Sequence, residues 1–363
     1  MSSFFPSRTV AVYMVRLFLT RTFGILAMLV LVLQALDLLT ESSKILVVPG
    51  NGQAAVLHYV GLRAPQLVAR FLPFAVLLGT ILTLLQMNQN SEVIALKAAG
   101  LSAHQVLAPL LVASLGVAVL QFAFNEAVVA PGTATLDRWQ KVDYARLAPD
   151  RGGRTNVWVR DGDDLIEAAD VSGRGMGARL GGVTLYDRTG GNLIAIVRAA
   201  TGRPGDGGWR IGPAMRFEVG SGKVTALGEI TVARGVRPDQ FTLGSVDADG
   251  LTFTGLRAAI SDLRDAGRPT KSLEGTLWHK LSGPLSSVLM PLLGAVAAFG
   301  LARSGQLFVR AVLGMALGFA YFVADNFALA MGNLGAYPPF LAAWAPFLLF
   351  FLIGETVLIR TEE

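Results

Sequence analysis

Long apolar runs open and close this chain, and an alternating, turn-rich stretch separates them. Six runs, at residues 17–39, 67–87, 106–130, 278–301, 307–331 and 337–359, match the ~20 residues that a helix needs to cross a hydrocarbon core. Runs this long with so few charges argue against the alternative, a large soluble helical core. The first run exceeds the roughly 7–15 residue apolar region of a signal peptide, and Leu39-Thr40-Glu41-Ser42 offers no small-x-small cleavage site, so it reads as a permanent span.

From Asn156 the period changes to two. Val157-Trp158-Val159, Asp164-Leu165-Ile166-Glu167, Val183-Thr184-Leu185-Tyr186, residues 193–197, Trp209-Arg210-Ile211 and residues 215–219 are short alternating segments. Asp161-Gly162, Gly190-Gly191-Asn192, residues 204–208 and Gly220-Ser221-Gly222 punctuate them as turns. This rhythm predicts an antiparallel β-sandwich or open roll. Beyond Phe253 the period becomes helical again: Leu256, Ile260 and Leu263 share a face, with Thr254 as N-cap and Gly267 as the stop, which predicts a short connector helix at 254–267. The expected organisation is 1–130 with three spans, 131–277 with the β-domain and connector, and 278–363 with three more spans.

Composition sharpens that division. The 363 residues are 52% hydrophobic and 16% charged, against ~25% charged in soluble chains. Residues 131–277 carry 20 of the 31 Lys and Arg and 18 of the 26 Asp and Glu, so the middle is nearly neutral and the 216 flanking residues hold only 19 charges. The net charge of +5 is therefore dispersed and gives no nucleic-acid surface. Arg8, Arg16, Arg21, Lys97, Arg303, Arg310 and Arg360 fall on one side of the predicted membrane and only Lys44, Arg63 and Arg70 on the other, which puts both termini in the cytoplasm and the β-domain outside, in the periplasm of a two-membrane cell.

Catalytic signatures are missing. With no cysteine, disulfides and thiolate metal sites are excluded. Gly220-Ser221-Gly222-Lys223-Val224 lacks both the leading Gly, where Phe217 stands, and the hydroxyl residue after Lys of a phosphate loop, so it reads as a turn between strands. Gly50-Asn51-Gly52 follows a span and not a strand, which discards a dinucleotide fingerprint. His58, His104 and His279 are scattered and form no zinc motif, and no nucleophile elbow is present. No cofactor is expected. What remains is a transport subunit driven by a partner or a membrane-anchored periplasmic scaffold, and six spans exceed what an anchor needs. A secondary transporter would show internal repeats and interrupted helices, and no repeat is visible.

Between spans two and three, residues 91–100 read as a short helix with Ser91 as N-cap, Glu92 in the first turn, Lys97 near its end and Gly100 as its stop. Asn90-Ser91-Glu92 and Ala98-Ala99-Gly100 in this stretch resemble the cytoplasmic coupling helix of the LptF/LptG family of lipopolysaccharide export permeases. Leu72-Pro73-Phe74, residues 125–131, 251–267 and 278–285, and Tyr337-Pro338-Pro339 agree in the same order, and the chain is more similar to the LptG branch. The resemblance implies an α-helical inner-membrane protein of a Gram-negative bacterium, with six transmembrane helices (3+3) and an inserted jellyroll-like periplasmic β-domain. It implies an LptF-like permease partner, a dimeric LptB-like ATPase in whose groove Glu92, Lys97 and Gly100 would dock, and an LptC-like periplasmic bridge. The transported molecule would be lipopolysaccharide, with a permease for another lipid or amphiphile as the alternative.

Further site residues follow from the resemblance. Arg138 and Lys141, three apart and so able to share a helix face, match family positions that contact the phosphorylated sugars of lipid A; solvated surface charges are the alternative. Span one departs from the family: Gln34, Thr40 and Glu41 stand where close relatives of LptG carry lysines, and Lys44 is the nearby substitute. Asp37 and Asp325 both fall in the outer third of the expected bilayer, where carboxylates are costly and face a cavity or a partner. In the family, spans one and five form the lateral gate, so Asp37 and Asp325 are expected to line it; structural hydrogen bonding within the bundle is the other reading.

Overall fold

The structure, a computed structural model, describes residues 6–145, 154–173, 175–205, 207–238, 241, 247–265, 268–299 and 307–360. Gly267, Leu301 and Arg303 lie outside the described residues. The chain divides into a helical unit (Met1–Arg146, Asp247–Ser261 and Pro269–Glu363) and a β-unit (Leu147–Val246 and Asp262–Arg268).

The helical unit begins with α1 (Arg8–Val47), α2 (Gln53–Gln89), α3 (Glu92–Ala98) and α4 (Ala103–Phe124). A π turn at Asn125–Val129 joins α4 to α5 (Ala130–Lys141). After the β-unit come α6 (Phe253–Asp265), α7 (Lys271–Phe299), α8 (Leu307–Asn333) and α9 (Pro339–Arg360). Among the described residues, α1, α2, the α4–α5 run, α8 and α9 are long and apolar enough to cross a membrane. The expected fourth span falls on α7, a helix of 29 residues whose last side chains lie outside the described set.

The helices outrun their apolar stretches. The α4–α5 run is 39 residues, roughly 58 Å at 1.5 Å per residue, against a hydrocarbon core of ~30 Å. The helix continues past the close of the apolar run at Ala130-Pro131: the π turn widens the backbone where Pro131, which has no N–H, enters the next helical segment. The 12 residues of α5 continue beyond the apolar run as an amphipathic helix that buries Leu136 and Trp139.

Core contacts explain the bundle's layout. Met14, Phe18 and Leu26 of α1 meet Leu77, Ile81 and Leu84 of α2, Leu107 and Leu110 of α4, Leu289 to Leu293 of α7, Tyr321 of α8 and Phe350 of α9 in one buried cluster. α7 packs against α2, α4, α8 and α9. At the far end of α1 and α2, Ile45, Tyr59, Leu136, Trp139 and Tyr144 form a second cluster, in which the Trp139 and Tyr144 rings meet edge to face at 5.2 Å.

In the β-unit six strands, β1 (Arg154–Asp161), β2 (Asp164–Ser172), β3 (Arg179–Thr189), β4 (Asn192–Gly205), β5 (Gly208–Glu218) and β6 (Val224–Val232), pair antiparallel in sequential order within one sheet. Of the two forms expected, the described strands make the single continuous sheet. Alternate residues Ile166, Ala168, Val183, Leu185, Val197 and Ile211 build its apolar face, closed by Trp209, whose Nε1 donates to the Val236 carbonyl at 3.0 Å and whose ring meets Phe241. The segments expected at 209–211 and 215–219 are one strand: Gly212 and Pro213 disturb its period, and the register shifts there without ending it. Strand β6 was not among the expected segments, although Val224, Ala226, Ile230 and Val232 alternate with Thr225, Glu229 and Thr231; it is exposed along nearly its whole length.

Candidate functional site

Two ends of the helical unit carry the candidate residues. At the end where α2, α3 and α4 meet, Asn90 closes α2 and Ser91 takes a left-handed conformation, φ 61°. It occupies the expected N-cap position, but its side chain makes no capping hydrogen bond to α3. Glu92 occupies the first turn instead, where its charge complements the helix dipole. Two donors converge on one carboxylate oxygen: Asn90 Nδ2 at 3.1 Å and Tyr13 Oη, from α1, at 3.2 Å, both to Glu92 Oε1. Gly100, at φ 86°, ends α3 as expected, with Leu101 N–H donating to the Leu96 carbonyl and Gly100 N–H to that of Lys97. Ser102 then caps α4, its side chain and that of Gln105 bonding each other's backbone. Lys97 lies exposed in the last turn of α3.

The opposite end gathers α1, α2 and α5. Asp37 accepts from Tyr59 Oη at 2.6 Å and faces Arg63 Nη2 at 3.4 Å. Glu41 accepts from Tyr144 Oη at 2.5 Å and from Lys44 Nζ at 2.8 Å, so Lys44 is tied to its own helix. Asn51, in the α1–α2 turn, donates to the carbonyls of Ile45 and Tyr144; the Gly50-Asn51-Gly52 stretch thus serves as a structural turn. Burial and the Glu41 bond together push the Tyr144 phenol up to about 12. Arg138 and Lys141 both project from the exposed side of α5, with Arg138 Nε on the Ala134 carbonyl. Beside Lys141 the carboxyls of Asp137 and Asp247 hydrogen-bond each other, an arrangement with no sequence signal because 110 positions separate them. That bond, burial and the Asp247 charge push Asp137 up to about 6, while the same bond holds Asp247 below the ordinary carboxylate range.

Asp325 lies apart from this assembly. It is 8% exposed on α8 and bonds His279 of α7 at 2.9 Å. Asp37 and Asp325 therefore each have a partner within the chain, on different helices. A further intrachain pair, His104 with Glu355 at 3.1 Å, joins α4 to α9.

Glu126 shows what sequence reasoning missed. Both of its oxygens, in the π turn, accept from the Phe253 N–H at 2.8 Å, and Thr252 Oγ1 accepts from Gly255 N–H. Thr252, and not Thr254, is thus the N-cap of α6, because the helix starts at Phe253, two residues before the start that a Thr254 cap implies. Gly220 to Lys223 form the β5–β6 turn, with Glu218 N–H donating to the Lys223 carbonyl and Gly222 N–H to that of Glu218. Among the described residues no group of three His, Asp or Glu could hold a metal.

Comparison with known proteins fits this layout. Residues 12–360 match the family model for the lipopolysaccharide export system permease LptF/LptG. The chain is 28% identical over 311 residues to the lipopolysaccharide export system permease protein LptG of Escherichia coli K12, covering 83% of this chain and 84% of that one. It is 24% identical over 322 residues to the corresponding protein of Haemophilus influenzae, covering 84% and 86%.

Proposed function

The chain belongs to the LptF/LptG family of lipopolysaccharide export permeases, and we propose that it is the LptG-type half of an ATP-driven extractor. In this reading both termini and α3 are cytoplasmic, the β-unit is periplasmic, and the chain pairs with an LptF-like subunit. A dimeric LptB-like ATPase supplies the energy, and an LptC-like bridge receives the lipid.

The observation that carries this reading is the dress of Glu92. Its Oε1 is saturated by Tyr13 and Asn90, which fixes the carboxylate plane and leaves Oε2 to pair with a cation of the ATPase. Because Tyr13 belongs to α1, movement of α3 on ATP binding is transmitted directly to span one. At the other end of that helix Asp37 grips Tyr59 and Arg63 of α2, and Arg138, Lys141 and Lys44 supply cations around an apolar cluster. That chemistry suits a ligand with phosphates at one end and acyl chains at the other.

In the reconstituted complex, Glu92→Ala is expected to cut lipid-stimulated ATP hydrolysis about tenfold, a charge-assisted contact being lost. Tyr13→Phe should lower it only a few-fold and add little in the double variant. Normal stimulation in Glu92→Ala would refute the coupling role. For the gate, Asp325→Asn should weaken stimulation while ATPase binding persists, since its bond to His279 joins α7 to α8; unaltered coupling would leave Asp325 a structural residue.

A further inference from the structure

The face of α1 that carries Val12, Val15, Arg16, Leu19, Thr20 and Phe23 repeats at three and four residues and is distinct from the core face of Met14, Phe18 and Thr22. With Pro109 and Val112 of α4 it encloses an open groove of about 780 Å³. The volume lies within the ~300–1,000 Å³ typical of small-molecule sites. The walls are apolar, and Val12, Phe23 and Val112 are about half exposed in the described chain (60%, 49% and 53%).

Arg16 lines the groove with its aliphatic stem and holds the one charge among the lining residues at the rim. Arg16 is exposed and its guanidinium has no hydrogen-bond or ion-pair partner among the described residues. Arg21, little more than a turn further along, is used differently: its guanidinium donates to the Leu82 carbonyl of α2. The Thr20 hydroxyl is likewise spent, on the Arg16 carbonyl. Arg16 immediately precedes the first apolar run, so it stands where hydrocarbon gives way to headgroups, and the groove extends from it toward Phe23 by roughly 10 Å. Ala11, Val12 and Val15 continue the lining on the other side of Arg16, so the cation sits on the rim partway along an apolar trough, an arrangement complementary to an acyl chain carrying a phosphate.

We infer that the α1–α4 groove binds an anionic glycerophospholipid of the cytoplasmic leaflet, one acyl chain lying against Val15, Leu19 and Val112 and the phosphate on Arg16. The choice of leaflet rests on the orientation proposed above. That leaflet is rich in anionic lipid, which attracts basic residues at its surface. The site lies at the opposite end of α1 from Asp37 and Lys44, and its residues Val12 and Arg16 flank Tyr13, the residue that holds Glu92.

The test uses the full complex in nanodiscs of phosphatidylcholine and phosphatidylglycerol, read by native mass spectrometry after release. Phosphatidylglycerol should be retained selectively. Arg16→Gln should weaken that retention about fivefold, Arg16→Lys should keep most of it, and Val112→Trp, which fills the trough, should abolish it. Equal retention in Arg16→Gln and the unaltered chain overturns the proposal, as does a disulfide from cysteines at positions 12 or 112 to a helix of the partner permease. Orientation is read separately. Since the chain has no cysteine, Ser7→Cys gives a single thiol that an impermeant maleimide reaches only from its own side. Labelling from the periplasmic side would overturn the leaflet assignment and the proposed topology, while the retention series still reports on the groove.

Discussion

Asp137 and Asp247, two carboxyls hydrogen-bonded to each other, make a pH-sensitive contact in the described helical unit. Asp137 is raised to about 6 by its bond to Asp247, by burial and by the neighbouring charge, so its contribution to stability is full below the ordinary carboxylate range and disappears as pH rises through about 6. Asp247, held low, contributes above the ordinary range and loses that only as pH falls through its own depressed value. The contact is therefore strongest near pH 4 and weakens as pH rises toward about 6. Asp137→Asn, a permanent stand-in for the protonated form, is expected to flatten the fall in melting temperature between about pH 4 and pH 6.5; an unchanged slope would show that the two groups do not share a proton. Glu92 and Gly100 were legible as residues because first-turn acids and helix-ending glycines have local causes. Tyr13 was not: its bond spans 79 positions, and no local pattern encodes it.

At the scale of elements, close crossings depend on small side chains. A Cβ on Gly79 of α2 would lie 3.0 Å from the backbone of Thr22 on α1, and backbone cannot move aside as a side-chain tip can. Gly79→Leu should therefore separate α1 from α2 and destabilise the bundle by about 1–3 kcal/mol, read as a lower melting temperature. A melting temperature equal to that of the unaltered protein would mean that the crossing tolerates separation. The helix ends illustrate where periodicity stops being informative. Hydropathy marks where a segment is apolar, but α1, α2 and α5 continue because turns such as that at Asn51 and clusters such as Trp139 with Tyr144 hold their polar extensions. The π turn at Asn125–Val129 likewise absorbs a proline that would ordinarily end a helix.

The whole molecule comprises two units with different sources of order. In the β-unit, Trp209 is 1% exposed and bonded through Nε1, so Trp209→Ala should cost the sheet about 3–5 kcal/mol. Limited proteolysis should then cut within 154–238 while the helical unit keeps its helicity; resistance equal to the unaltered chain would show that Trp209 does not anchor the sheet. The sequence alone determined the division into apolar flanks and a polar β-domain, the apolar runs, most strands and the short helix α3. These follow from burial and periodicity, which act over a few residues or a single turn. Tertiary structure decided which groups meet: Asp37 with Tyr59 and Arg63, Asp325 with His279, Glu126 with the start of α6, and Tyr13 with Glu92. Each is a contact between elements far apart in the chain, chosen by how the helices pack, and packing leaves no period to read along a sequence.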